Sequence, residues 1–71
     1  MSNLTFAQDL GITSANLAFD CAGDYADLET SIDSYRLNIQ DTLIDEGMLT
    51  DDNCRAAFRA FDDRVAQRRA V

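Results

Sequence analysis

The feature that most constrains the fold of this chain is a regular spacing of apolar residues through its middle. Steps of three and four residues separate the members of this apolar series: Ala18, Cys21, Tyr25, Leu28, Ile32, Tyr35 and Ile39. A series of this kind returns to one side of a helix every 3.5 residues, which is the spacing of packed helices. Proline is absent from the sequence. The pattern therefore predicts an all-α fold.

A short N-terminal helix is predicted before Gly11. Its apolar face consists of Leu4, Phe6, Ala7 and Leu10. Gly11 can adopt the positive φ that commonly follows the last turn of a helix. Thr13 or Ser14 can then cap a second helix that begins at Ala15, because a hydroxyl accepts hydrogen bonds from the free N–H groups of a first turn.

Two further glycines mark the long helical segment that follows. Gly23 costs about 1 kcal/mol relative to alanine inside a helix, and Asp24 after it could cap a new start. The pattern leaves two alternatives open, a single bent helix or a short helix followed by a longer one. Gly47 closes the segment, and Thr50 is the predicted N-cap of the last helix.

The expected architecture is a single small helical domain over residues 1–71. The short link around Gly47 favours an antiparallel helical hairpin, with the short N-terminal helix folded against it. A chain of 71 residues buries only about 60% of the surface that its unfolded form exposes, so we expect two copies to dimerise into a small helical bundle. The residues expected at the hairpin or dimer interface are Tyr25, Leu28, Ile32, Tyr35, Ile39, Leu43, Phe58, Phe61 and Val65.

A second apolar stripe accompanies this series. Leu37, Leu43, Ile44 and Met48 lie off the side of the helix that Tyr35 and Ile39 define. A helix with more than one apolar stripe must contact more than one neighbour. The long segment therefore predicts a contact surface in addition to the hairpin.

Acidic residues dominate the charge of the chain, which has thirteen Asp and Glu against six arginines and a formal net charge of −7. Of the acidic residues, only Asp62 and Asp63 lie after residue 53. A negative field repels nucleic acid and membrane phosphates and attracts basic proteins, so we expect a protein partner with a basic surface. The carboxylates expected to contact it are Asp20, Asp24, Asp27, Glu29, Asp33, Asp41 and Asp45. Solubility, or a salt-adapted or GC-rich source, is the alternative reason for this acidity.

The composition argues against catalysis. Histidine and lysine are both absent, which removes the usual general base and the usual amine nucleophile. Cys21 and Cys54 fall on apolar stripes, where a free cysteine packs as a small hydrophobe. Two thiols do not complete a zinc site, which needs about four ligands. The sequence predicts no enzyme, no metal and no cofactor.

One segment resembles a known family. Leu49, Thr50 and Asp51, followed by Phe58, Ala60, Asp62, Arg64, Val65 and Ala66, are similar to the closing helix of the Hha family of small bacterial regulators. Members of that family partner nucleoid-associated proteins. The resemblance begins at Leu49, and it implies that Asp62 is a partner-contacting acid.

Two functional hypotheses follow. The first is a small acidic regulator or inhibitor whose carboxylates block a basic, nucleic-acid-binding surface of a host protein, as DNA mimics do. A phage-encoded anti-defence protein of the anti-CRISPR type fits this description. The second is a structural or transcription-modulating hairpin, Hha-like, that binds its partner through apolar helix packing. The N-terminus lacks the basic start and apolar core of a signal peptide, so we expect a cytoplasmic location, in the host cell if the protein is phage-encoded.

Overall fold

The computed structural model describes residues 3–70, and all regular secondary structure in that range is helical. Helix α1 spans Asn3–Asp20, α2 spans Leu28–Asp45 and α3 spans Asp51–Arg69. A single 3-10 turn, Ala22–Asp24, lies in the link between α1 and α2. The prediction of an all-α fold is confirmed.

The three helices run up, down and up. Gly11 lies against Ala57, and Asp20 pairs with Arg68, so α1 and α3 are parallel. The Ser31 hydroxyl, in the first turn of α2, donates a 2.7 Å hydrogen bond to a backbone carbonyl in the last turn of α1. Because the start of α2 lies beside the end of α1, α2 is antiparallel to both of the other helices.

The core lies where α1 meets the other two helices. Helix α1 packs most extensively against α3 and less against α2, and α2 and α3 contact each other least. The two helices that the sequence pairs as a hairpin are therefore joined mainly through α1. The buried apolar residues are Ala7, Ala15, Ala18, Ile32, Ile39, Leu43, Ala57 and Phe61.

The prediction of a short N-terminal helix that ends at Gly11 is wrong. Helix α1 continues to Asp20, and Gly11 is buried within it. A Cβ atom at this position would lie 2.2 Å from the Ala57 carbonyl oxygen and 2.9 Å from the Phe61 nitrogen. Gly11 therefore allows the backbones of α1 and α3 to approach closely, and it does not end a helix. Neither Thr13 nor Ser14 caps a helix, because both lie inside α1.

The link between α1 and α2 decides between the two alternatives at Gly23. The helical segment is broken there, and the N-cap of α2 is Asp27, not Asp24. The Asp27 carboxylate accepts a 2.7 Å hydrogen bond from the Thr30 N–H. Hydrogen bonding to Thr30 lowers the pKa of Asp27 below its usual value, since it stabilises the charged form. The regular apolar series of the sequence is thus shared by α1, the link and α2.

The boundary between α2 and α3 is confirmed. Gly47 has a φ of +68°, its N–H donates to the Ile44 carbonyl at 3.0 Å, and the Met48 N–H donates to the Leu43 carbonyl at 2.8 Å. This pair of bonds is the Schellman motif, which satisfies the last carbonyls of a helix. The Thr50 hydroxyl then accepts a 3.1 Å hydrogen bond from a backbone N–H in the first turn of α3.

Thr50→Ala is expected to lower the free energy of unfolding by about 1 kcal/mol, because the N-cap hydrogen bond is lost. Thr13→Ala is the matched control. Thr13 is exposed inside α1, where alanine is the better helix former, so this variant should be as stable as the wild type. Urea unfolding followed by circular dichroism measures both. Equal losses for the two variants would contradict the assignment of the cap.

Candidate partner-binding surface

The seven carboxylates predicted as partner contacts are all exposed, but they do not share one environment. Asp20 lies 3.2 Å from the Arg68 guanidinium. Glu29 accepts a hydrogen bond from Arg69, and Asp27 is occupied as the cap of α2. These three carboxylates therefore have partners within the chain.

The C-terminal arginines reduce the negative charge at one end of the molecule. Arg68 also stacks over the Phe19 ring, 4.8 Å from its centroid. The exposed ion pairs of Asp20 with Arg68 and of Glu29 with Arg69 contribute roughly 0–1 kcal/mol each. Their main effect is therefore on the surface field and not on stability. The sequence predicts Asp20 and Glu29 as free contacts, but tertiary packing brings arginines of α3 beside them.

Arg36, which is the one basic residue before residue 53, also has partners within the chain. Its Nε lies 3.3 Å from the Asp62 carboxylate, and its guanidinium stacks 4.5 Å from the centroid of Phe58. Asp62, which the Hha resemblance implies as a partner contact, is thus engaged with α2. Arg36 points towards α3, which leaves the far side of α2 without a basic neighbour.

The far side of α2 combines carboxylates with exposed apolar side chains. Leu37 is 72% exposed and Ile44 is 52% exposed. At about 100° per residue, both lie on the side of α2 opposite Ile32 and Ile39, which are buried. We call this surface the α2 outer face, and it consists of Asp33, Leu37, Asp41, Ile44 and Asp45.

The carboxylates of the α2 outer face are unpaired within the described part of the chain. No side-chain hydrogen bond or ion pair among residues 3–70 involves Asp33, Asp41 or Asp45. Asp24, the remaining predicted contact, is exposed in the 3-10 turn before α2. The structure therefore separates the predicted acidic set into internally bonded residues and a group on α2 that faces solvent beside two apolar side chains.

The residues predicted at a hairpin or dimer interface lie largely inside the chain. Ile39, Leu43 and Phe61 are fully buried and Ile32 is nearly so. A second copy cannot reach these side chains in this fold. Leu28, Tyr35, Phe58 and Val65 are half-buried against the core. Tyr25 packs edge-on against Tyr35, with ring centroids 6.1 Å apart. Dimerisation stays a prediction.

The two cysteines and Tyr35 are half-buried. Cys21 and Cys54 are half-buried free thiols, and Cys54 packs against the core. A hydrogen bond with Cys21 raises the pKa of Tyr35 to about 12, so its phenol stays protonated at neutral pH. Over residues 3–70, no three His, Cys, Asp or Glu side chains converge to hold a metal.

Helices α1 and α3 leave an open groove of about 560 Å³ beside their contact, with Ile12 and Ala60 among the residues that line it. Its charged side chains, Arg59, Asp63 and Arg64, are of mixed sign and do not select one kind of ligand.

Within the described range, no helix is both long enough and apolar enough to cross a membrane.

Comparison with family models, curated proteins and solved structures yields no match to this chain.

Proposed function

We propose that this protein is a small non-catalytic regulator or inhibitor that covers a basic surface of another protein with its α2 outer face. The observation that supports this function is the exposure of Leu37 and Ile44 between carboxylates that have no partner within the described chain. Burial of apolar surface stabilises a complex by about 25 cal/mol for each Å². The carboxylates attract a basic partner and fix its orientation.

Single exposed apolar residues are ordinary on protein surfaces, so it is the position of these two that indicates a binding surface. Leu37 and Ile44 are seven residues apart and lie on the same side of one helix. Neither of them lines the groove between α1 and α3. An exposed apolar patch with a charged rim is typical of a protein-binding site.

A nucleic-acid-binding surface of a host protein is one surface of the required kind. Lysine and arginine side chains that contact phosphates would meet the carboxylates of Asp33, Asp41 and Asp45 instead. Occupation by an acidic helix would exclude the nucleic acid by both charge and space. A phage-encoded anti-defence inhibitor of the anti-CRISPR type would act in this way in the cytoplasm of the host cell.

The second candidate is a helical hairpin that dimerises, or binds a partner of the Hha kind, through apolar packing alone. Exposure of Leu37 and Ile44 on α2, and of Leu49 in the link that follows, favours it. Dimerisation would bring together two chains that each carry a net charge of −7, and this repulsion opposes association. A basic partner is therefore the better supported proposal.

Charge reversal tests the proposal. The variant Asp33→Lys/Asp41→Lys is expected to lose proteins that the wild-type protein retains from a host lysate, because the carboxylates then repel their basic surface. Asp9→Lys/Asp63→Lys is the matched control. It makes the same change in net charge at exposed, unpaired positions on α1 and α3, and it should retain the same proteins.

Quantitative mass spectrometry of the retained proteins at low and high ionic strength provides the measurement. Binding through the α2 outer face should weaken as salt rises. Retention of the same proteins by Asp33→Lys/Asp41→Lys would exclude the proposed surface. Retention that is indifferent to salt would instead favour the apolar candidate.

A further inference from the structure

We infer that the part of the partner that contacts the α2 outer face is a basic amphipathic helix laid along α2. This inference rests on the proposed function and specifies the element that is recognised. It depends on three properties of α2: the order of the side chains along its outer face, the hydrogen bonding of its backbone and the sign of its unpaired charges.

The first property is an alternation of acidic and apolar side chains along one line. Asp33, Leu37, Asp41 and Ile44 follow one another in steps of four, four and three residues. These are the spacings of neighbours on one side of a helix. At 1.5 Å per residue the line is about 16 Å long, or about three helical turns. The face therefore offers a narrow ridge and not a cavity.

The second property favours a helix over an extended peptide as the occupant. Helix α2 runs without interruption over Leu28–Asp45, and its backbone groups are bonded within the helix. A strand laid on it would find no backbone partners, although buried N–H and C=O groups need them. A partner helix brings its own backbone hydrogen bonds and contributes only side chains. A helix is therefore the element that can cover this ridge at low cost.

The third property selects the charge of that helix. The charged groups of the α2 outer face are all carboxylates, and the nearest base on the same helix, Arg36, is bonded to Asp62. A second copy of this chain that docked through the same face would place carboxylates against carboxylates. A helix with two apolar residues seven positions apart, and arginine or lysine beside each of them, complements the ridge in both respects.

A designed peptide provides the probe. It is an 18-residue helical peptide with leucines seven residues apart on one face and arginines before, between and after them. Two control peptides accompany it. One has the same composition with leucines and arginines on opposite faces, and the other has glutamate in place of arginine. Titration of the isotope-labelled full chain, followed by NMR, gives the affinity and the residues that are perturbed.

We expect amide shifts to be confined to residues within α2, and both control peptides to bind at least about tenfold more weakly. Leu37→Ala/Ile44→Ala should weaken binding of the designed peptide by about tenfold or more. Ile12→Ala is its control, because Ile12 is an exposed apolar residue of the groove between α1 and α3, and it should leave the affinity unchanged.

Three results would overturn the inference. The first is equal binding of the peptide with leucines and arginines on opposite faces, and the second is a set of shifts centred on the groove between α1 and α3. The third is self-association of the chain through α2, which would identify a second copy as the occupant. If Asp33→Lys/Asp41→Lys loses its host proteins while the designed peptide does not bind, the helix inference fails and the proposed function stands. If that variant loses nothing, both fail.

Discussion

Gly11→Ala is expected to destabilise the protein by about 1–3 kcal/mol, which is the usual range for an overpacked core. The added Cβ would lie 2.2 Å from the Ala57 carbonyl oxygen and 2.9 Å from the Phe61 nitrogen. Both atoms belong to the backbone of α3, which cannot rotate away as a side chain can. Helices α1 and α3 must therefore move apart, and the largest interface of the core loses its close packing.

The sign of this effect separates tertiary packing from local propensity. Inside an exposed helix, alanine is more favourable than glycine by about 1 kcal/mol, so propensity alone predicts that Gly11→Ala stabilises. Gly23→Ala is the matched control, because no atom lies within 4 Å of the added Cβ and the φ of Gly23 is not positive. It should leave stability unchanged or raise it slightly.

Thermal and urea unfolding followed by circular dichroism measure both glycine variants. A domain of 60–100 residues loses roughly 4–8 °C in Tm for each kcal/mol, so the expected change at Gly11 is well resolved. A Gly11→Ala protein as stable as the wild type would show that α1 and α3 do not approach each other closely, and the fold described above would then be wrong at its central contact.

Gly11 also shows where the sequence alone could not predict the packing of the helices. Glycine after a short apolar face is equally compatible with the end of a helix and with a close crossing of two helices. The second possibility depends on Ala57 and Phe61, which lie far along the chain. Small residues recur with Gly11 on the buried side of α1, namely Ala7, Ser14, Ala15 and Ala18. This stripe of small residues is visible in the sequence. Small side chains give little hydrophobic signal, however, so the larger apolar residues dominate the prediction.

The boundary at Gly47 and Thr50 was predictable because both of its signals are local. A glycine with a positive φ and a hydroxyl N-cap act within one turn of the chain. The link before α2 was less certain, since Asp24 and Asp27 are both acceptable caps by residue type. Only the backbone path after Cys21 decides that Asp27 accepts the hydrogen bond.

The candidate site was predicted in pieces. Leu37 and Ile44 stand off the main apolar stripe in the sequence, and Asp33, Asp41 and Asp45 belong to the predicted acidic set. Their union on one face follows from the helical register. The pairing of Asp20 and Glu29 with arginines does not follow from the helical register, because these arginines are 48 and 40 residues away. Contacts over such distances are set by packing of the helices.

Truncation to alanine at two large apolar positions should separate folding from binding. Phe61 is fully buried, and loss of a buried phenylalanine costs about 3–5 kcal/mol. Domains have roughly 0.05–0.15 kcal/mol of stability per residue, so this cost removes a large part of the stability of a 71-residue chain. We expect Phe61→Ala to be partly unfolded at room temperature, with a broad thermal transition and weak circular dichroism.

Leu37→Ala removes the side chain that is most exposed among the large apolar residues, at 72%. Its stability should stay within about 0.5 kcal/mol of the wild type, as is usual for surface substitutions. Its affinity for a partner or for the designed basic helix should fall, because the apolar contact at the centre of the α2 outer face is lost. Urea unfolding and titration calorimetry on the same preparations give the two quantities. A Leu37→Ala protein that binds as tightly as the wild type would leave the carboxylates as the sole basis of recognition. One that unfolds readily would instead place Leu37 in the core and remove the apolar part of the proposed surface.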